Sequence, residues 1–317
     1  MCFQNGINAK EVSFENRSLQ GVLKMKTITI LSGKGGVGKS SLAASLAVLL
    51  FREMKKGVVA TDCDVDASNL ALLFNAELKN REKISTNYKA FVNEKAGRCR
   101  EIADICTFSA ISWNERKQLP EINKFLCEGC GACQLLCPEG IELKRVKNAV
   151  VGEAETNYGF PLVSGQLDMG ESGSGNVVEA VKKRAREKAE NIKADFIVLD
   201  ASAGIGCPVI ASIRGSDYVI GITEPTPSGL SDLKRAFDVV NHFDIPHGIV
   251  INKYNLNKGL TEKIETFAME NDIPVLGKLP YDKNFVEAMV NLIPVVVYDE
   301  TYKKAFLDIL NKMGLGD

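Results

Sequence analysis

The chain has 317 residues, 45% hydrophobic and 25% charged, an ordinary globular composition with length enough for one large core and a smaller module. Thirty-nine Lys and Arg stand against 40 Asp and Glu, a balance that gives no support to a general polyanion-binding role. The longest apolar run, Leu42 to Phe51 with one serine inside, is far short of the roughly 20 residues a membrane span needs, and no basic start with a long apolar core marks a secretory signal. The chain is therefore expected in the cytoplasm, with no nucleic-acid partner and no membrane anchor.

Residues 1–24 read as an extension, possibly disordered, and are assigned no function. Met25 opens a strand pattern, Thr27-Ile28-Thr29-Ile30-Leu31, and the segment Gly33-Lys34-Gly35-Gly36-Val37-Gly38-Lys39-Ser40 follows it. This fits G-x-x-x-x-G-K-S, and the helical run from Ser41 to Arg52 supplies the strand–loop–helix context that the motif requires. Glycines let the backbone curl so that its N–H groups point at phosphate oxygens, and the helix N-terminus adds positive potential. Lys39 is expected to reach the β- and γ-phosphates and the Ser40 hydroxyl to ligate magnesium, with Ser41 completing the nucleotide contacts. The next strand, Gly57 to Thr61, ends in Asp62-Cys63-Asp64-Val65-Asp66. Carboxylates there lie beside bound phosphates in an open α/β sheet.

Between Leu78 and Val150 the alternation of strands and helices breaks. Six of the nine cysteines fall between positions 99 and 137, and such crowding in a cytosolic chain argues for metal rather than disulfides. Cys127-x2-Cys130-x2-Cys133-x3-Cys137-Pro138 is the bacterial ferredoxin spacing, whereas zinc usually takes two separated pairs. Residues 79–150 are thus expected to form an inserted α+β module, with residues 25–78 and 151–317 making the main domain.

Further along, Asp195-Phe196-Ile197-Val198-Leu199-Asp200 is an apolar strand ending in a carboxylate, the Walker B form, with Asp200 expected to hold magnesium through water. Strand Gly248 to Ile251 leads into Asn252-Lys253-Tyr254-Asn255. Guanine readers place Asp at the last position, so Asn255 favours adenine, and the Asn252 amide can pair with adenine N6 and N7. Tyr302, Phe306, Ile309, Leu310 and Met313 share one helical face, which reads as a helix packed on the domain.

The second lysine, in the form Lys34-Gly35-Gly36-Val37-Gly38-Lys39, resembles the deviant Walker motif of the MinD/ParA family of P-loop ATPases. The resemblance runs from Met25 over most of the chain, and looks like those members that contain an inserted ferredoxin domain. It implies a mostly parallel twisted sheet with helices on both faces, slow ATP hydrolysis, and a homodimer closed by ATP in which Lys34 reaches phosphates of the neighbouring subunit. It also implies that Asp64 orients the attacking water, that Asp62 helps to hold magnesium, and that the Gly204 N–H senses the γ-phosphate. Pro280-Tyr281-Asp282 is similar to the family's second adenine-contacting loop. Ser202 and Ala203 stand where relatives usually show prolines, which implies a less rigid loop. Cys207 matches in spacing a cluster-ligating cysteine of a relative, though a small residue packed beside Pro208 is the plainer reading.

In a two-cluster ferredoxin the fourth cysteine of each motif ligates the other cluster. Cys106-Thr107-Phe108-Ser109-Ala110-Ile111 resembles the run that closes the first motif, and counting back by the same spacing meets Ala96, Cys99 and Ile102. Two ligands of one cluster are therefore gone. A single [4Fe–4S] cluster is expected on Cys106, Cys127, Cys130 and Cys133, with Cys99 and Cys137 near each other in the vacated site, either as thiols or as a disulfide. The rival set is Cys127, Cys130, Cys133 and Cys137. The cofactors implied are ATP, Mg2+ and one [4Fe–4S] cluster. The function implied is ATP turnover coupled to electron transfer or iron–sulfur maturation of a client metalloprotein or redox partner, or else a nucleotide-switched, partition-type scaffold with a structural cluster.

Overall fold

The computed structural model describes residues 25–171 and 173–315. The expected N-terminal extension, residues 1–24, lies outside the described residues. The strands are β1 (Lys26–Ser32), β2 (Val58–Cys63), β3 (Lys79–Ile84), β4 (Asn87–Val92), β5 (Ile111–Asn114), β6 (Leu119–Ile122), β7 (Ile141–Val146), β8 (Ala149–Glu155), β9 (Pro161–Leu167), β10 (Phe196–Ala203), β11 (Tyr218–Thr223), β12 (His247–Asn252) and β13 (Val275–Leu279). The helices are α1 (Lys39–Arg52), α2 (Leu70–Leu73), α3 (Ala132–Leu136), α4 (Ser174–Ile192), α5 (Cys207–Ile213), α6 (Pro227–His242), α7 (Lys258–Glu270), α8 (Lys283–Val290), α9 (Val295–Tyr298) and α10 (Lys303–Lys312).

Nine strands form one sheet in the order β13-β12-β11-β1-β10-β2-β9-β8-β3. From β13 to β9 every pairing is parallel, and β8 and β3 add an antiparallel edge. Strands covered on both faces read as near-continuous apolar runs, and β10 does so from Phe196 to Leu199. In β1, Ile28 and Ile30 enter the core under α1 and α10, whereas Leu31 enters the core under α6. In β10, Val198 faces the first core, whereas Ile197 and Leu199 pack under α4. Phe306, Ile309, Leu310 and Met313 are buried in the first core, so the apolar face of α10 is spent on the domain. No helix among the described residues is long and apolar enough to cross a membrane.

The cysteine-rich segment leaves the sheet between β3 and β8. The sequence boundaries of 79 and 150 take in more than the module: Lys79–Ile84 is the edge strand of the large sheet, and Ala149 already pairs with Ile84 and with Leu167. Alternation failed there because β3 is an exposed, charged edge strand, which shows no apolar pattern. Inside the module, β4 pairs with β7 and β5 with β6, both antiparallel. Its core contains Ala90, Ala96, Ile102, Ala110, Ile111, Cys127, Cys137 and Ile141. The register also places it. Ile84 and Ala149 lie beside Leu167, the carboxyl end of β9, and β9 runs parallel to β2. The module therefore rises from the same edge of the sheet as the loop between β1 and α1.

Candidate nucleotide and cysteine sites

The loop from Gly33 to Gly38 joins β1 to α1, at the place where the chain crosses from β1 past β10 to β2. Such a reversal of strand order opens a crevice at the carboxyl edge of a parallel sheet. Gly38 precedes the helix with φ 97°, and a Cβ there would stand 2.5 Å from Asn252 Nδ2, so both the angle and the space exclude a side chain.

Lys39 is 6% exposed. Its Nζ lies 2.6 Å from Asp200 Oδ1 and 3.4 Å from Asp64 Oδ2. Burial works against the ammonium, but Asp200 outweighs it, with help from Asp64 and Asp62, and holds the lysine pKa above its ordinary value. Burial pushes Asp200 the other way from a normal carboxylate, upward, while Lys39 and the Ser40 hydroxyl oppose it. Asp200 Oδ2 is buried and makes no well-formed hydrogen bond. An orphaned carboxylate oxygen, on a carboxyl group that also feels the Ser40 hydroxyl, suits a hydrated Mg2+. Lys39, Ser40, Asp64 and Asp200 thus meet at one point, from three separate stretches of chain.

Other expected residues are engaged differently. Asp62 Oδ1 accepts the Asp64 N–H at 3.1 Å, and Oδ2 accepts those of Asn69 and Leu70, both at 2.9 Å. Expected at magnesium, this carboxylate instead ties down the loop that carries Asp64. Burial, followed by the Asp200 charge, pushes it up to about 7 against those N–H bonds. The Gly204 N–H, expected at the γ-phosphate, donates to Ser32 O at 2.9 Å. Asn252, expected at adenine, donates from Nδ2 to Val37 O at 2.8 Å and accepts the Lys253 N–H at 2.9 Å. Its amide braces the phosphate loop with one of its two N–H groups. Asn255 Oδ1 accepts the Tyr281 N–H at 2.6 Å, which brings the two candidate base loops together. Asp282 caps α8 by accepting the Asn284 N–H, and Tyr281 is exposed. Ser202 does not loosen its loop. It lies inside β10, and its hydroxyl donates to Cys63 O at 3.1 Å.

Lys34 turns back onto its own chain. Its Nζ is 2.7 Å from Glu224 Oε1 and donates to Thr226 Oγ1 at 3.2 Å. Lys253 Nζ holds Glu224 Oε2 at 2.8 Å and reaches Gly36 O at 3.3 Å. Burial would raise the Glu224 pKa, but the two lysines overcome it and bring it below the glutamate norm. Neither Glu224 nor Lys253 is among the residues expected at the site. Nothing local marks them, because their partners lie about 190 and 30 residues away.

In the module, Cys106, Cys127, Cys130 and Cys133 line one cavity of about 40 Å³, walled by Ala90, Ile111, Ile122 and Leu143 among others. One water needs about 10–15 Å³ by the same measure, so the space takes several atoms. Among the described residues no three His, Cys, Asp or Glu side chains are set to hold a single metal ion; the four thiols stand around a space rather than a point. Ala90 N–H donates to Cys127 Sγ and Ala110 N–H to Cys106 Sγ, both at 3.4 Å. Burial, then neighbouring Cys127, raises the Cys133 thiol pKa, a cost that bound metal would remove. Gly129 has φ 66°, and a Cβ there would meet Tyr88 O at 2.1 Å. Cys99 and Cys137 are joined by a disulfide with a Cα–Cα distance of 6.0 Å. Beside them Ala96 and Ile102 are fully buried. Cys207 is an exposed free thiol at the start of α5.

A sequence profile for the CobQ/CobB/MinD/ParA nucleotide binding domain matches residues 28–295. The chain belongs to this family. It is 39% identical over 234 residues to the uncharacterized protein MJ0578 of Methanocaldococcus jannaschii, covering 73% of this chain and 79% of that one. It is 23% identical to an iron-sulfur cluster carrier protein of Pyrococcus abyssi, covering 90% and 84%. Its fold is similar to that of the septum site-determining protein MinD of Pyrococcus horikoshii complexed with Mg-ADP, at TM-score 0.54 and 20% identity, with 90% and 94% covered. Lys39, Ser40, Asp64 and Asp200 all lie within the residues that match this nucleotide binding domain. The cysteine cavity lies in the segment between β3 and β8.

Proposed function

We propose that the protein is an ATP-hydrolysing dimeric switch that carries one [4Fe–4S] cluster in a ferredoxin-like insert, and that it couples ATP turnover to electron transfer or to iron–sulfur maturation of a client protein. The observation that carries this reading is that Cys106, remote in sequence, lines the same cavity as Cys127, Cys130 and Cys133, while Cys137 is bonded to Cys99. The set is all thiol, it receives N–H bonds at two sulfurs, and its Gly129 loop passes against the Tyr88 backbone. These features fit a cubane. Such a cluster supplies single-electron transfer when bound. The resemblance in name to an iron-sulfur cluster carrier adds support to the maturation reading.

The chain's own residues divide the ATP chemistry. The N–H groups of Gly35 to Ser40 and the Lys39 ammonium grip the phosphates, and Ser40 and Asp200 hold Mg2+. Asp64, partly exposed beside Lys39, orients a water for in-line attack. Release of Lys34 from Glu224 leaves the lysine free to cross to a second copy, so dimer closure and ATP binding act together.

The test is anaerobic purification of the full chain, followed by iron, acid-labile sulfide and zinc analysis and by ATP binding. About four irons per chain are expected in the wild type and in Cys137→Ser, and almost none in Cys106→Ser. Iron retained by Cys106→Ser but lost from Cys137→Ser would reassign the ligands, and zinc in their place would end the cluster reading. The scaffold alternative separates by function: ATP-dependent assembly on DNA or lipid, unchanged when iron is removed, would favour it.

A further inference from the structure

Lys89, in β4 of the module, is 1% exposed and among the largest fully buried side chains. Its Nζ donates to Lys124 O at 2.7 Å and lies 3.2 Å from Glu171 Oε2. Lys124 sits in the turn that leads to Cys127, whose N–H is held by Asn123 O at 3.1 Å. The residue after Lys89 is Ala90, whose N–H reaches Cys127 Sγ. The ammonium is thus pinned to the backbone that presents a cavity thiol. A methionine would fill similar space without the several kcal/mol, roughly, that burying an ion costs. The charge is what lysine adds.

Glu171 comes from the other unit, after β9 of the large sheet. Its Oε2 is buried and makes no well-formed hydrogen bond, so it depends on the Lys89 charge. The same stretch of chain leads to the nucleotide site. A Cβ on Gly175, in the first turn of α4, would stand 3.3 Å from Cys207 Cβ. Cys207 opens α5 directly after the loop that follows Asp200 and β10. Across the junction, Asn176 Nδ2 donates to Thr86 O at 3.2 Å.

We propose that Lys89 is a positioning residue that sets the charge balance of the cysteine cavity, and that Glu171 ties this balance to the nucleotide state of the large sheet. The proposal rests on the cluster reading above. One-electron reduction adds negative charge to the cavity. Lys89 favours that state, and Glu171 offsets it. A displacement of the loop after Asp200 reaches Glu171 through Gly175 and changes how much of the lysine charge the cavity feels.

The test is a dithionite titration of the anaerobic full chain, followed by electron paramagnetic resonance, with MgADP and with a non-hydrolysable MgATP analogue. Lys89→Met is expected to disfavour reduction by about tenfold, a downward shift of about 59 mV for one electron. Glu171→Gln is expected to shift the midpoint upward. Nucleotide should move the wild-type midpoint and leave that of Glu171→Gln in place. Lys89→Met chain that does not fold leaves the Glu171→Gln measurement to decide. Variants that shift the same way, or a Glu171→Gln chain that keeps the full nucleotide response, overturn the proposal while the cluster stands. A wild-type chain without iron overturns both.

Discussion

Asn252 Nδ2 donates to the Val37 carbonyl across 2.8 Å, so that the carboxyl end of β12 holds the phosphate loop in shape. Val37 is 1% exposed, and its carbonyl loses that donor if the amide is removed. Asn252→Ala should destabilise the chain by about 1–3 kcal/mol, the cost of a buried unsatisfied acceptor. Calorimetry would read this as a lower Tm. Nucleotide affinity should fall as well, because the loop that cradles the phosphates loses its brace. Loss of adenine preference alone would return Asn252 to the base.

Glu224 sits between Lys34 and Lys253 as a latch. Its folded pKa is lowered from 4.5 by those lysines against the pull of burial. A lowered carboxylate contributes stability above its unfolded pKa and loses it as pH falls through the folded one. The contribution should therefore be complete above about pH 4.5 and be lost as pH falls from there through the lower folded value. The lysines are partly exposed, so solvent screening limits the sum to about 1 kcal/mol, or about 2 °C in Tm for a chain of this size. Glu224→Gln should show that deficit at pH 7 and none at pH 3. It should also dimerise at lower ATP concentration, since Lys34 starts free. Sedimentation velocity across an ATP series would check the second outcome.

Lys39 and Asp200 form a buried pair at 2.6 Å. Removing one partner leaves the other charge uncompensated, at a cost of about 3–5 kcal/mol. Lys39→Met should therefore unfold earlier than the wild type even without nucleotide, and should gain nothing in Tm from MgATP. The wild type should gain about 2.7 kcal/mol at ligand 100-fold above Kd. Equal Tm in the two nucleotide-free chains would mean the pair is not formed in solution.

Gly129 and Gly131 both have positive φ, at 66° and 85°, but only Gly129 faces backbone at short range. Gly131→Ala should cost about 1–2 kcal/mol for left-handed strain alone. Gly129→Ala must also move the Tyr88 carbonyl, and should lose iron from the module. The nucleotide site, built on the large sheet, should still bind ATP. Iron analysis alongside an ATP-binding curve separates the two effects.

The Cys99–Cys137 disulfide closes a loop across a sequence separation of 38. In the chain-entropy account such a loop contributes about 4 kcal/mol. Mild reductant should lower the unfolding temperature of the module and raise its hydrogen exchange, with β10 and β1 unaffected. The same change should appear in Cys137→Ser without reductant. An identical exchange pattern in oxidised and reduced protein would show that Ala96 and Ile102 hold that end unaided.

The parallel sheet was legible because strands covered on both faces are continuous apolar runs, as in Ile197-Val198-Leu199. The P-loop was legible because phosphate binding by backbone needs glycines at fixed steps, and the proximity of Cys99 and Cys137 was legible in the spacing of the cysteines. β3 was not, since an exposed edge carries no pattern. The fates of Asp62, Gly204 and Asn252 were hidden as well. Each residue type suits both ligand contact and loop bracing, and its bracing partners come from other parts of the fold.

Taken by itself, the amino-acid order determined which chemistries the protein carries: a phosphate loop, two strand-end carboxylates, and a thiol set with two gaps. These are local properties, written in residue type and spacing. The tertiary structure alone decided which groups meet. It folded Lys34 onto Glu224, joined Cys99 to Cys137, and set Lys89 of the module against Glu171 of the sheet. The physical reason is that charge pairing and thiol proximity depend on distances of a few ångströms between segments far apart in the chain, and no local pattern encodes those distances.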